Sequence, residues 1–180
     1  MNRLFSVKTG ADILPEYRGT PVETLFEYHN LNKPFGSYKD SKMLIGMCMD
    51  KRNNLHIPDK FAFIIRTGGA NLRYSEFKVS YAIGVGGVRC IVLIGHNNCG
   101  MVNLISRKEQ FVKGLSEATG CDHEKAEEHF MHYAPMFEIG SETDFILGEV
   151  KRLRLRYPGI LIAPLFYLLD DNLLYFIEES

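Results

Sequence analysis

The sequence predicts an α/β protein with a mainly parallel, four-stranded sheet, an antiparallel C-terminal edge strand and helices on both faces. Three apolar runs, at residues 42–47, 61–65 and 88–94, are continuous rather than alternating, which is typical of strands covered on both faces. Between the second and third runs, residues 75–84 have helical patterning and lead into a glycine-rich stretch. A strand, a crossover helix and a further strand favour parallel pairing and the α/β class.

The composition is that of an ordinary globular protein and indicates one domain over residues 1–180. The chain has 180 residues, 46% hydrophobic and 24% charged, which is enough to bury a core. The formal net charge of -1 gives no electrostatic reason to expect a nucleic acid or an anionic membrane as partner. The composition therefore favours small-molecule chemistry.

The N-terminal part is predicted to be a polar arm, residues 1–20, followed by a helical segment, residues 21–33. Thr20 is a suitable N-cap, and Pro21 fits the first helical position because it has no N–H to leave unpaired. Helical spacing then predicts one apolar face, formed by Val22, Leu25, Phe26 and His29.

The C-terminal half is predicted to contain helices followed by a β-hairpin. Helical patterning covers three segments: 100–108, 115–133 and 141–157. Two apolar runs follow, at residues 160–169 and 173–177, with the turn sequence Asp170-Asp171-Asn172 between them. These runs predict a strand and a returning antiparallel partner at the sheet edge.

The cellular compartment is predicted from the N-terminus and the cysteines. The first residues lack the apolar core of a secretory signal, and no apolar run approaches the roughly 20 residues that span a bilayer. We therefore expect a cytoplasmic protein with no membrane partner. Cysteines at positions 48, 90, 99 and 121 are too few and too scattered for a disulfide scaffold, so they are expected to be thiols and available as ligands.

Polar and thiol residues follow two of the predicted strands. Cys48, Asp50 and Arg52 come after the first strand, where alternation in an extended segment would point them to one side. His96 and Cys99 follow another strand, and one turn apart at the start of a helix they would also face one way. Open α/β sheets gather their sites at the carboxyl ends of strands. Cys48, His96 and Cys99 make a set of two thiolates and one imidazole that suits Zn²⁺ and leaves a fourth position open.

Each of these residues also has an ordinary structural interpretation. Cys48 and Cys99 suit a core, because free cysteine is among the most buried residue types, and Asp50 with Arg52 suits a surface ion pair. Together, however, CxDxR after one strand and GHxxCG after another are far more specific than either alone. Cys90 lies inside a strand run and is interpreted as core.

In these motifs the chain resembles the β-class carbonic anhydrases, from about residue 20 to the end, and in particular their compact, shorter members. By position, Cys48, His96 and Cys99 match that family's zinc ligands, and Asp50 with Arg52 match its catalytic dyad. The segment Arg66-Thr67-Gly68-Gly69-Ala70 occupies the place of the family's Arg-Asn-Ala-Gly stretch, which forms the pocket floor.

The resemblance also implies a pocket and an assembly. It places Gly68, Gly69 and Gly100 in the substrate pocket, and it makes Asp50 an alternative fourth metal ligand when its pairing with Arg52 is broken. It further implies that the helix of residues 21–33 packs on another subunit, in a homodimer or a dimer of dimers. Burial of its apolar face within its own chain is the alternative.

The function that the resemblance implies is zinc-dependent, reversible hydration of carbon dioxide to bicarbonate. In this scheme Asp50 orients the attacking water species, and Arg52 keeps Asp50 ionised and away from the metal. Two alternatives stay open: a carbonyl sulfide or carbon disulfide hydrolase on the same scaffold, and a noncatalytic zinc-binding homologue. Retention of both Asp50 and Arg52 argues against the noncatalytic alternative.

Overall fold

The computed structural model describes residues 3–179, in which six strands form one sheet in the spatial order β1-β6-β5-β4-β2-β3. The strands are β1 (Leu4–Ser6), β2 (Met43–Cys48), β3 (Ala62–Thr67), β4 (Cys90–His96), β5 (Leu161–Leu168) and β6 (Leu173–Ile177). The α-helices in the described part are α1 (Pro21–His29), α2 (Glu76–Gly84), α3 (Lys108–Thr119), α4 (His123–Phe137) and α5 (Glu142–Arg156). Short 3-10 helices include Gly68–Ala70 and Leu104–Arg107.

The predicted parallel sheet is confirmed. Strands β3, β2, β4 and β5 pair in parallel, with Met47 opposite Ile94 and Gly95 opposite Phe166. Every residue of β2 and β4 is buried, which explains why their sequences are continuous apolar runs. Because all four parallel strands end at the same edge, the residues that follow β2 and β4 lie side by side.

Strand β6 returns antiparallel to β5, as predicted, and the arm adds a strand that the sequence analysis did not predict. Leu4 lies opposite Ile177 and Ser6 opposite Tyr175, so β1 covers the outer edge of β6. A strand of only three residues is too short to show a recognisable alternation of apolar and polar residues.

Three of the predicted helical segments were wrong in their bounds. The segment 21–33 is helical only over Pro21–His29. The segment 100–108 contains only the 3-10 helix Leu104–Arg107 before α3 begins, and the segment 115–133 is divided between α3 and α4. Gly120 has φ 74°, a left-handed conformation that ends α3, and Asp122 then precedes α4. The helical periodicity continues across this break, which concealed it in the sequence. The segment 141–157 corresponds to α5.

Helices cover both faces of the sheet. On one face, α1 packs in a core that includes Met43, Ile45 and Met47 of β2. On the other face, α2 and α5 pack in a second core that includes Leu44 of β2 and Leu93 of β4. The alternation of side chains along β2 thus assigns neighbouring residues to different cores.

The apolar face of α1 is buried within its own chain. Val22, Leu25 and Phe26 are completely buried, and the ring of Phe26 lies 4.5 Å from that of Phe176 on β6. His29 accepts a hydrogen bond at Nδ1 from the His56 backbone N–H, 3.0 Å away. The sheet of the same chain therefore covers this face, which is the alternative given above, and a role of the helix in dimerisation stays a prediction.

No helix within residues 3–179 combines the length and the apolar character needed to cross a membrane.

Candidate metal centre

The candidate ligands lie at the carboxyl ends of two neighbouring parallel strands. Cys48 is the last residue of β2, and His96 is the last residue of β4. Cys99 was predicted at the start of a helix, but it lies in a turn between β4 and Val102. Asn98, with φ 54°, takes the left-handed conformation in this turn. The three-residue spacing therefore brings His96 and Cys99 together through a turn and not through a helical face.

The three ligand atoms form a compact, buried cluster. The atoms offered by Cys48, His96 and Cys99 all lie within 4.8 Å of one another, and the two Sγ atoms are 3.9 Å apart. His96 Nδ1 lies 2.9 Å from the Asn97 carbonyl oxygen, whereas its buried Nε2 has no hydrogen-bond partner. A buried, unpaired ring nitrogen is costly unless it has a ligand. The cluster therefore has the donors and the geometry to hold a metal ion through both sulfurs and Nε2.

The surroundings of the two thiols favour one negative charge, on Cys48, while the pKa of Cys99 is raised. The hydrogen bond between Cys99 and Cys48 lowers the pKa of Cys48 and raises that of Cys99, because one proton serves both sulfurs. The backbone N–H groups of Asp50 and Gly69 also lower the pKa of Cys48, and that of Met101 acts in the same direction on Cys99. A cation between the sulfurs would complete this arrangement by stabilising the second thiolate.

Asp50 and Arg52 form a close ion pair beside the cluster. Arg52 Nε donates to Asp50 Oδ1 at 3.0 Å, and Nη2 donates to Oδ2 at 2.6 Å. These bonds hold the pKa of Asp50 well below its usual range. Arg52 Nη2 also donates to the Asn98 carbonyl at 3.0 Å, which joins the dyad to the turn that carries Cys99.

The segment that carries the dyad is a turn and not the extended segment that was predicted. The Asn53 N–H donates to the Asp50 carbonyl at 3.4 Å, and the Arg52 N–H donates to Asp50 Oδ1 at 2.9 Å. The two side chains therefore meet because the chain turns back on itself, not because strand alternation points them to one side.

Arg66 braces this turn, a role that the sequence analysis did not predict. Its Nη1 donates to the Cys48 carbonyl at 2.9 Å and to Asn53 Oδ1 at 2.8 Å, and its Nη2 donates to the Asn53 carbonyl at 3.0 Å. Asn53 is completely buried. The signals in the sequence were the position of Arg66 near the end of β3, next to β2, and its match to the arginine of the family's Arg-Asn-Ala-Gly stretch.

The turn with Cys99 is anchored by residues far away in the sequence. Glu142, at the start of α5, accepts a hydrogen bond from the Cys99 N–H at 3.3 Å. Asn97 Nδ2 donates to Asp170 Oδ2 at 2.8 Å, and Asn97 Oδ1 accepts from the Leu169 N–H at 2.8 Å. No local pattern in the sequence connects these residues, because they are 43 to 73 positions apart.

A cavity with both charged and apolar walls, called the polar cavity because of its charged side chains, opens beside the ion pair. It has a volume of about 450 Å³, and its lining includes Asp50, Arg52, Gly100 and Arg107. Met101, Leu104, Phe111 and Phe130 also line it. The cavity gives a small molecule access from solvent to the Asp50 carboxylate.

A second cavity, of about 460 Å³, shares those four apolar side chains with the polar one. It lies between the Gly68 turn and helix α4, and its other walls include Met49, Tyr133, Ala134 and Phe137. Almost all of its lining is apolar, so it suits neutral molecules better than ions.

The structure distributes the three glycines predicted for the pocket among different surroundings. Gly100 lines the polar cavity and Gly68 lines the apolar cavity. Gly69, with φ 60°, lies behind the ligands, beside His96, Cys99 and Ile139. A side chain at Gly68 would come within 2.9 Å of Met101 Sδ, so this glycine allows Met101 to lie between the cavities.

The remaining thiols lie apart from the cluster. Cys90 is buried at the start of β4, where burial raises its pKa to about 12. Cys121 lies between α3 and α4. Among residues 3–179, the three ligands above are the one group of His, Cys, Asp or Glu identified as able to hold a metal ion.

Comparison with protein-family models gives no match, and comparison with curated proteins gives none either. Solved structures do match. A β-carbonic anhydrase (isoform I) from Trichomonas vaginalis is similar with a TM-score of 0.63 and 19% identity, over 83% of this chain and 91% of that one. A carbonic anhydrase from Glaciozyma antarctica gives 0.58 and 21%, over 89% and 94%.

A third similar structure is the apo form of a carbon disulfide hydrolase, with a TM-score of 0.56 and 20% identity, over 78% of this chain and 80% of that one. Identities at this level are evidence for a shared fold and leave the reaction open. The parallel sheet, the antiparallel C-terminal strand and the helices on both faces agree with the resemblance found in the sequence. The chain therefore has the fold of the β-carbonic anhydrases, which the carbon disulfide hydrolase shares.

Proposed function

We propose that this protein is a zinc enzyme that reversibly hydrates carbon dioxide to bicarbonate and a proton. The observation that carries the proposal is the ion pair of Asp50 and Arg52 next to the cluster of Cys48, His96 and Cys99. A metal site that only stabilises a fold is closed and has no use for an oriented carboxylate at its side. A catalytic site needs both a position for water and a group that orients it.

The residues that would hold Zn²⁺ are Cys48, His96 and Cys99. Two sulfurs and one imidazole nitrogen are a donor set that zinc prefers, and three protein ligands leave one position for water or substrate. When bound, zinc supplies the Lewis acidity that makes water nucleophilic near neutral pH. Because His96 Nδ1 lies at hydrogen-bond distance from the Asn97 carbonyl, Nε2 is the ring nitrogen that would bind the metal.

Asp50 would orient the nucleophile. Its carboxylate stays ionised because Arg52 donates to both oxygens, and an ionised carboxylate accepts a hydrogen bond from an attacking water or hydroxide. That bond would turn a lone pair of the nucleophile toward the carbon of carbon dioxide. Water adds one oxygen to the carbon, bicarbonate leaves, and one proton passes to solvent.

The second candidate is hydrolysis of carbonyl sulfide or carbon disulfide. The apolar cavity between Gly68 and α4 is compatible with it, because these molecules are neutral and have little polarity. Carbon dioxide is neutral as well, so the cavity alone does not separate the two reactions. Because a carbon disulfide hydrolase has the same fold, this reaction remains a second candidate alongside carbon dioxide hydration.

One experiment separates these functions. Zinc-loaded protein should hydrate carbon dioxide in a stopped-flow indicator assay, and the same sample should hydrolyse carbonyl sulfide and carbon disulfide far more slowly. Faster turnover of either sulfur compound would replace the proposed substrate. No turnover of any of the three, even at alkaline pH, would favour a noncatalytic zinc-binding homologue.

We also infer that the chain works as one domain, since β1 at its start and β6 at its end pair in the same sheet.

The homodimer or dimer of dimers and the cytoplasmic location stay predictions. Because α1 is buried in its own chain, we place the subunit contact on another surface. That surface, the β3–α2 surface, is the outer edge of β3 with the exposed apolar side chains beside it: Phe63, Phe77, Tyr81 and Val85 on the side of α2, and Ile64 on the opposite face of the sheet.

Two features of the β3–α2 surface suit a second copy of the chain. Strand β3 pairs only with β2 within residues 3–179, so its outer edge has free backbone groups. Next to it, Phe77 is 79% exposed and Val85 70% exposed. Exposed apolar side chains beside an open sheet edge commonly mark an interface.

The dimer prediction is tested by sedimentation. The wild-type protein should have a mass of at least twice 20.6 kDa, and Phe77→Lys combined with Ile64→Lys should reduce it to 20.6 kDa. Met131→Lys, a matched change at an exposed apolar residue of α4, should leave the wild-type mass unchanged. A wild-type monomer at micromolar concentration would contradict the prediction, as would a double variant that keeps the wild-type mass.

A further inference from the structure

Arg107 lies at the mouth of the polar cavity. It is the last residue of the 3-10 helix Leu104–Arg107, and its exposed side chain lines the cavity together with Asp50, Arg52 and Gly100. A Cβ atom added to Gly100 would be 4.0 Å from Arg107 Nε, so the guanidinium lies close to Gly100, the residue after Cys99. A small molecule in this cavity therefore has both the Asp50 carboxylate and the Arg107 guanidinium in its walls.

The charges around the cavity leave Arg107 uncompensated. Asp50 is the only acidic residue in the lining, and it already pairs with Arg52. Arg107 itself makes no side-chain hydrogen bond or ion pair with any residue in the described range 3–179. By contrast, the guanidinium groups of Arg66 and Arg152 donate to several acceptors each. The cavity therefore carries one positive charge whose donors are available to a ligand.

We propose that Arg107 binds the anionic product, bicarbonate, at the mouth of the cavity and so determines how the site holds anions. This inference rests on the proposed function. A planar guanidinium donates two parallel hydrogen bonds to a carboxylate-like group, which bicarbonate presents and linear, neutral carbon dioxide does not. Gln110, in the same lining, adds an uncharged amide that can donate to a further oxygen.

The binding test uses nitrate, a planar, monovalent oxyanion that does not react. In calorimetric titrations of zinc-loaded protein, Arg107→Gln should weaken nitrate binding by about fivefold to tenfold, the loss expected for a partly solvated charged hydrogen bond. Arg107→Lys should lie between the two, because lysine keeps the charge but lacks the planar fork. Lys125→Gln removes the same charge from an exposed site on α4 that does not line the cavity, and it should bind nitrate as the wild type does.

The kinetic test separates binding of the product from the reaction itself. If Arg107 holds bicarbonate without stabilising the transition state, Arg107→Gln should raise KM for bicarbonate and kcat of dehydration together, by a similar factor. The ratio kcat/KM should stay the same in both directions, because neither the free enzyme nor the transition state is changed, and KM for neutral carbon dioxide should not change. A general loss of fold would lower kcat/KM in both directions instead.

The outcomes distinguish this inference from the proposed function. If the wild type hydrates carbon dioxide but Arg107→Gln keeps its nitrate affinity and its KM for bicarbonate, the anion site is overturned and the function stands. If nitrate binding depends on Arg107 but no carbon dioxide is hydrated, the anion site stands and the function is overturned. A loss of nitrate affinity equal to that of Lys125→Gln would reduce the role of Arg107 to general surface charge and overturn the inference.

Discussion

Cys48→Ser, His96→Ala and Cys99→Ser should each purify with well under one zinc ion per chain, whereas the wild type should hold about one. Each change removes one of three donor atoms that lie within 4.8 Å of one another. Loss of an outer hydrogen-bond partner alone weakens metal binding by about 10- to 100-fold, so loss of a donor should cost at least as much. Elemental analysis of dialysed protein measures the result directly.

The other cysteines provide matched controls for the zinc measurement. Cys90→Ser changes a buried thiol of β4, and Cys121→Ser changes a thiol between α3 and α4. Both variants should keep about one zinc per chain, because neither thiol belongs to the cluster. Full zinc content in all three ligand variants would place the metal elsewhere. Loss of zinc from the controls as well would indicate damage to the fold and not to the site.

The ligands could be predicted from the sequence because they are tied to strong local signals. Strands β2 and β4 are buried on both faces, so their sequences are continuous apolar runs whose ends can be located within one or two residues. Parallel pairing then places those ends together, and Cys48, His96 and Cys99 follow directly. Even so, the local conformations were wrong: turns after both strands, and not an extended segment and a helix, bring the side chains into position.

Features that depend on tertiary contacts could not be predicted. The apolar face of α1 has the same sequence pattern whether it packs on its own sheet or on another subunit, and only the structure shows that β4 and β6 cover it. The brace formed by Arg66 and Asn53 and the anchor at Glu142 join residues that no local pattern connects. Arg107 was predicted only as part of a helical segment. The cavity that it lines forms only when distant parts of the chain fold together, so the sequence did not indicate a role for its charge.

The second large effect should come from Asp50. Asp50→Asn should keep zinc, since Asp50 is outside the ligand cluster, yet it should lose about 10²- to 10⁴-fold in the rate of carbon dioxide hydration. The amide has nearly the same shape, but it carries no charge to pair with Arg52 and is a weaker acceptor for the nucleophile. The measurement is a stopped-flow comparison of wild type and variant at equal zinc content.

Lys51→Ala is the matched control for the dyad. Lys51 lies between Asp50 and Arg52 in the same turn, is exposed, and is absent from the lining of the polar cavity. Its replacement should leave the hydration rate within about twofold of wild type, since substitutions of exposed residues outside a site or core usually have small effects. A large loss in this variant would mean that the turn itself, and not the Asp50 carboxylate, is sensitive to substitution.

Arg52→Ala should also lose activity, for a different reason that a further comparison can detect. Arg52 holds both oxygens of Asp50 through Nε and Nη2, so without it the carboxylate would be free to bind a metal held by the three ligands and to exclude water. Added guanidinium ion, which can again pair with Asp50, should restore part of the activity of Arg52→Ala and none of that of Asp50→Asn. The variant that combines Asp50→Asn with Arg52→Ala should likewise gain no activity from guanidinium. Wild-type rates in Asp50→Asn would remove this residue from the mechanism, whereas equal rescue of both single variants would show that guanidinium acts without Asp50.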